Sequence, residues 1–150
     1  MISLFSDAYT DVTVDTWRTD WSVATLEDVT IDGSAMKKYS ALNFVGIETV
    51  SSTIDATDMT QFHLDVWSAD FTTFKIKLVD FGADGAEGGG DDTREQVFFD
   101  KAIWTANTWI TLEFPITLAN KNNIGLIIYE NINGSSLSNF YLDNIYFYED

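Results

Sequence analysis

The chain has 150 residues, 24 of them acidic and 8 basic, for a net charge of −16. A field of that sign repels phosphate backbones, anionic bilayers and sulfated or uronic-acid glycans, so neutral ligands and cations remain as partners. There is no cysteine and one histidine, His63, which excludes disulfides, a thiol nucleophile, Cys-based zinc and multi-His metal sites.

With 45% hydrophobic residues the sequence predicts a single folded domain over 1–150 with a substantial core. No apolar run approaches the ~20 residues of a membrane helix. Five Trp, six Tyr and eleven Phe are more ring surface than such a core needs, so some rings are expected to face a ligand. The start, Met1-Ile2-Ser3-Leu4-Phe5, has no basic n-region and no cleavable apolar stretch, so a secreted parent implies a mature or excised piece.

Period-2 alternation with β-branched and aromatic residues recurs along the chain and predicts short strands. The first third offers 2–5, 11–14, 21–25 and 36–48. In 60–67 (TQFHLDVW), Phe62, Leu64 and Val66 share one face, and His63, Asp65 and Trp67 the other. In 73–79 (TFKIKLV), Phe74, Ile76 and Leu78 oppose Lys75 and Lys77. A strand at 94–99 follows, and then 108–114, stopped by the sole proline, Pro115. The apolar run 124–129 reads as a fully buried strand. Asn133-Gly134 marks a turn, which also fits the sequon Asn133-Gly134-Ser135, and 140–148 closes the chain with Tyr141, Ile145 and Phe147 on one side. No stretch carries a 3.6-residue stripe. Roughly ten short strands joined by loops predict an all-β jelly-roll sandwich.

Whole phrases of the chain, LFSDAYTDVTVDTWRTDWS (4–22), LNFVGIETVSSTIDATDMT (42–60), FHLDVWSAD (62–70), FKIKLVDFGADGA (74–86) and YLDNIYFY (141–148), resemble one module. It is the jelly-roll carbohydrate-binding domain appended to secreted bacterial β-glucanases, laminarinase-type enzymes of marine Bacteroidetes among them. The resemblance covers nearly the full length; KAIWTANT (101–108) and PITLANKNN (115–123) depart from it. It implies a galactose-binding-like sandwich, an extracellular bacterial setting, a tethered catalytic domain, β-glucan as ligand class and a structural calcium.

Two surfaces compete for the sugar. Trp17 and Trp21 in DTWRTDWS are flat apolar rings able to stack on pyranose C–H faces, with Arg18 and Asp20 beside them for hydroxyls. The plain alternative is that one of these Trp plugs the end of the sandwich. The second surface is a sheet face in which His63, Asp65 and Trp67 line up with Lys75 and Lys77 and with Arg94, Gln96 and Phe98. Its plain alternative is a solvated face with a weak Asp65–Lys ion pair.

Calcium needs hard oxygens. Asp7 and Asp11 lie near the N-terminus, and Asp143 on the last strand matches the acid that holds calcium in the resembled modules; its plain alternative is that Asp143 merely accepts a backbone hydrogen bond. The loop Asp80…Asp84…Glu87…Asp91-Asp92 is either solvated or a second ion site, and its spacing is not that of an EF-hand.

Catalysis finds no footing. A Ser–His63–Asp set lacks a nucleophile motif, the glycine run 88–90 has no following Lys to cradle a phosphate, and no carboxylate pair stands out for glycoside hydrolysis. The reading is therefore a non-catalytic module for neutral β-glucan, laminarin-like β-1,3 chains first. Its rivals are a calcium-rigidified spacer or adhesion domain without a sugar site, and a small glycosidase.

Overall fold

The computed structural model describes residues 1–132 and 139–150, so the Asn133-Gly134 turn lies outside the described residues. Nine strands are described: β1 (Ile2–Phe5), β2 (Val23–Ile31), β3 (Ser34–Glu48), β4 (Gln61–Ser68), β5 (Thr73–Asp80), β6 (Thr93–Asp100), β7 (Trp109–Pro115), β8 (Ile124–Ile132) and β9 (Phe140–Tyr148), with one 3-10 turn at Lys101–Ile103. All pairings are antiparallel, in the order β6-β5-β8-β3-β9-β4-β7, with β1 on β9 and β2 on β3. The all-β jelly-roll sandwich expected from the alternation is the fold observed.

β3 joins the two leaves. Residues 37–39 pair with β9, and 44–48 pair with β8. Between them Ala41 adopts φ 51, and the register against β2 jumps, so the strand bends out of one leaf into the other. One leaf is then β6-β5-β8-β3 and the other β2-β3-β9-β4-β7. Phe74 of β5 meets Phe140 of β9 at 4.7 Å between ring centroids although the strands do not pair, which fixes the leaves as facing layers. Phe62, Leu64 and Val66 of β4 and Phe74, Ile76 and Leu78 of β5 all lie fully buried in one shared core.

Three expectations change. Residues 11–14 form no strand, only a bridge from Asp11 to Ser3. β2 begins two residues after Trp21 and runs on to Ile31, closed by an Asp32-Gly33 turn with both φ positive. Tyr141 points away from Ile145 and Phe147, because a bulge near Asn144 (φ 49) inverts the parity of β9, leaving Leu142, Ile145 and Phe147 in the core.

Candidate functional site

The facing layers split the predicted sheet surface. His63, Asp65 and Trp67 stand on the outer face of one leaf, whereas Lys75, Lys77, Arg94, Gln96 and Phe98 stand on the outer face of the other, pointing the opposite way. The reason is topological: β4 and β5 are neighbours in sequence but never pair. Instead, Trp21 from the proposed loop cluster joins the Lys75 face.

On that face the register builds a row. Phe98 lies opposite Lys75, Lys75 opposite Glu130, and Glu130 opposite Phe44. Trp21 stacks on Phe44, with centroids 6.2 Å apart and planes 23° off parallel. The next row is Gln96, Lys77, Ile128 and Gly46. Trp21 covers Gly46, where a Cβ would come within 2.3 Å of the indole. Its turn is pinned there by Thr19 N donating to Gly46 O (3.0 Å) and Gly46 N donating to Ser22 Oγ (3.0 Å).

Phe98 is 55% exposed and Trp21 47%, so each row end carries an open ring. Three interstrand steps, about 14 Å at the usual spacing, separate Phe98 from Phe44, on which Trp21 stacks, room for a few pyranose rings. Between them Lys75 Nζ pairs with Glu130 at 2.6 Å. Burial, with Arg94 and Lys75 close by, holds the Lys77 ammonium below its ordinary pKa. A platform with aromatic ends and polar groups of fixed geometry can stack rings and bond hydroxyls.

Of the other members of the loop cluster, Trp17 and Arg18 make contacts within the fold. Trp17 is half-buried against the core, edge-on to Phe5 at 5.8 Å, and its carbonyl accepts from the Tyr39 hydroxyl at 2.7 Å. It is an end plug. Arg18 donates from Nε to Ala24 O (2.6 Å) and from Nη2 to Ser22 O (3.3 Å), tying its own loop together. Asp20 is exposed beside Trp21.

The opposite face holds its own aromatic cleft. Trp67, Trp109, Tyr141, Met36 and Ile31 enclose about 180 Å³, with the Trp67 and Tyr141 rings at 82° and 5.3 Å. His63 is buried, its Nδ1 2.7 Å from Glu113 Oε1 and its Nε2 3.4 Å from Asp65 Oδ1, with its ring parallel to Tyr146 at 4.3 Å. Among the described residues Asp65 has no lysine partner; it accepts from Thr111 Oγ1 at 2.7 Å and Asn144 Nδ2 at 2.8 Å. Both ring nitrogens of His63 therefore face carboxylates, and neither is left to activate a hydroxyl.

Of the proposed calcium ligands, Asp7 and Asp143 come together: Ser34 Oγ lies 3.4 Å from Asp7 Oδ2 and 3.3 Å from Asp143 Oδ2. One hydroxyl proton cannot serve both carboxylates. Burial raises the Asp143 pKa, and Asp7 and Asp65 raise it further. Asp143 also accepts a backbone hydrogen bond, from Asn144 N at 2.8 Å. Asp11 does not join them; it accepts from Ser3 Oγ at 2.6 Å. Among the described residues no three or more of His, Cys, Asp and Glu are grouped so as to hold a metal ion.

No protein-family model matches the chain, and no curated protein matches it. Solved structures do. The family 30 carbohydrate-binding module of a cellulosomal cellulase of Clostridium thermocellum is similar over 99% of this chain and 97% of its own, with TM-score 0.67 and 12% identity. The fold is that of carbohydrate-binding modules. The family 11 module of another cellulosomal cellulase of that organism covers 100% and 96%, with TM-score 0.65 and 12% identity. The family 11 module in complex with a β-1,3-1,4-mixed-linked tetrasaccharide covers 99% and 97%, with TM-score 0.60 and 13% identity.

Phe44, Glu130, Trp109 and Tyr141 were not among the predicted contacts. Parity places Trp109 outward on its strand, a signal present in WITLEF. Phe44 and Glu130 carry no such mark, since one follows a bend and the other sits in an apolar run.

Proposed function

We propose that this chain binds a neutral β-glucan across the outer face of β6-β5-β8-β3 and catalyses nothing itself. The observation that carries the reading is the row from Phe98 through Lys75 and Glu130 to Phe44 and Trp21, open rings at both ends and hydroxyl-bonding groups between. A family 11 module of the same fold is known in complex with a β-1,3-1,4-mixed-linked tetrasaccharide, which supports the ligand class. A β-1,3 or mixed-linkage chain lying across the strands would stack at its ends and bond in the middle. Joined to a secreted bacterial hydrolase, such a module raises the local concentration of substrate. Calcium between Asp7 and Asp143 would clamp the N-terminal segment to β9, completed by carbonyl and water oxygens.

Titration with laminarin, mixed-linkage glucan and cellulose tests the reading. Binding to at least one neutral glucan, lost in Trp21→Ala or Phe98→Ala, is expected; no binding to any of them leaves the calcium-rigidified spacer.

A further inference from the structure

The loop from β5 to β6 closes on itself. A Cβ on Gly82 (φ 77) would lie 2.4 Å from the Asp91 carbonyl oxygen, so the two ends of the loop touch. Asp80, fully buried, anchors the base by accepting from Gly82 N at 2.8 Å and Asn123 N at 2.7 Å. Inside the loop, Asp91 Oδ2 accepts from Asp84 N at 3.3 Å and Asp92 Oδ2 from Gly88 N at 2.9 Å.

The other oxygen of each carboxylate is different. Asp91 Oδ1 and Asp92 Oδ1 are both shielded from solvent and have no hydrogen-bond partner. The Asp92 side chain is only 3% exposed, and the nearest cation, Arg94, reaches Oδ2 at 3.8 Å while itself 53% exposed. Asp91 Oδ1 and Asp84 Oδ2 also converge on Gly89, at 3.4 and 3.0 Å from its would-be Cβ. Buried anionic oxygens without donors are costly unless a cation meets them.

We propose that this loop is a divalent-cation site, calcium by its hard-oxygen chemistry, in which Asp91 and Asp92 each give their Oδ1. Among the described residues no three of His, Cys, Asp or Glu are grouped to hold a metal ion, so the proposal rests on these two carboxylate oxygens and needs main-chain carbonyls and water for the rest of the shell. The absence of nitrogen and sulfur donors sets it apart from a zinc or copper site. The loop runs directly into Arg94 on the proposed glucan face, and Glu87 acts electrostatically on Glu48 at the same end of β3. Ordering the loop would thus fix one rim of that face, a consequence that rests on the glucan reading; the ion site does not.

The test is calorimetric titration of calcium chloride into the EDTA-stripped, desalted chain at fixed ionic strength, without glycan. The Asp143→Asn variant should keep a calcium-binding event that additional Asp92→Asn or Asp91→Asn weakens at least tenfold. Cleavage after Glu87 by a glutamate-specific protease gives a second readout. Calcium should slow it in the parent and in Asp143→Asn, and should have no effect in Asp92→Asn. Melting curves establish that each variant is folded, and the Asp91 variant stands in should the Asp92 variant not fold. Calcium binding in Asp143→Asn that survives both loop substitutions, or cleavage indifferent to calcium in the parent, overturns the site. Loss of glucan binding with calcium binding intact counts against the glucan reading alone.

Discussion

Replacing Trp21 with alanine separates the two faces most sharply. The ring is 47% exposed, and its other side rests on Phe44 and Gly46. About half of an indole's 150–250 Å² is therefore already buried, on the order of 100 Å², worth about 2.5 kcal/mol as an upper value. For a chain of this size that lowers Tm by roughly 5–10 °C and leaves the domain folded. The exposed half would stack on sugar, and its loss should cost about 1–3 kcal/mol, roughly ten- to hundredfold in Kd. Calorimetric titration with a mixed-linkage oligosaccharide, beside a melting curve, reads both quantities. Gly46→Ala reaches the same ring from below, since its Cβ would sit 2.3 Å from Trp21 Cη2. It should weaken binding comparably and alter the near-UV dichroism. If folded Trp21→Ala and Phe98→Ala bind like the parent while Trp67→Ala or Trp109→Ala loses binding, the ligand lies in the opposite cleft and the row argument is wrong.

Other outcomes follow from the same geometry. Glucan affinity should be unchanged between low and high salt, because stacking and neutral hydrogen bonds are barely screened; an affinity that collapses with salt, or binding to anionic glycans alone, contradicts the ligand class. Glu48 has its pKa raised above the ordinary 4.5 by burial and by repulsion from Glu87, Asp15 and Asp20. The folded chain then holds a proton that the unfolded chain releases, so this group lowers stability as pH rises upward from 4.5. In EDTA, Glu48→Gln should melt above the parent at pH 7, with the gap closing on acidification below that value; a gap independent of pH refutes this. EDTA should lower the parent's Tm and calcium restore it, since an ion bound only by the native state stabilises it. A parent that melts alike in both, with no calcium by elemental analysis, removes the Asp7–Asp143 site.

The strands were legible because side-chain parity is a local property. Phe62, Leu64 and Val66 had to share a face whatever β4 paired with, and so did Phe74, Ile76 and Leu78. Which leaf each strand joins is not local. The sequence places Trp67 six residues before Thr73, but β4 pairs with β7 and β9 and β5 with β6 and β8, so adjacency in the chain became opposition in space. The errors of parity have local causes too: Asn144 and Ala41 take positive φ without glycine's signature, and each inverts or bends its strand unannounced. The Asp32-Gly33 turn was the signal that would have extended β2 to Ile31. Trp17 and Trp21 look equivalent in DTWRTDWS; the first is covered by Phe5 and by Lys37 Nζ at 4.9 Å, while the second leaves a ring exposed.

The charge distribution bears on the choice of face. In a chain of net charge −16, three of only eight bases, Lys75, Lys77 and Arg94, stand together on the outer face of β5 and β6. Lys75 pairs with Glu130, and burial, with repulsion from Arg94 and Lys75, lowers the Lys77 pKa. The face thus carries a small basic cluster, one member of it ion-paired, in a chain of net charge −16. An anionic polymer would find two attractive side chains there but would meet the repulsion of the whole domain at longer range. A neutral glucan meets neither term. It would take hydroxyl contacts from Lys77 and Gln96 with no ion pair broken, because neither side chain is needed to neutralise a buried acid. On the glucan reading Lys77 and Gln96 would bond hydroxyls rather than pair with charge, and the salt titration discriminates between these two uses of the same residues.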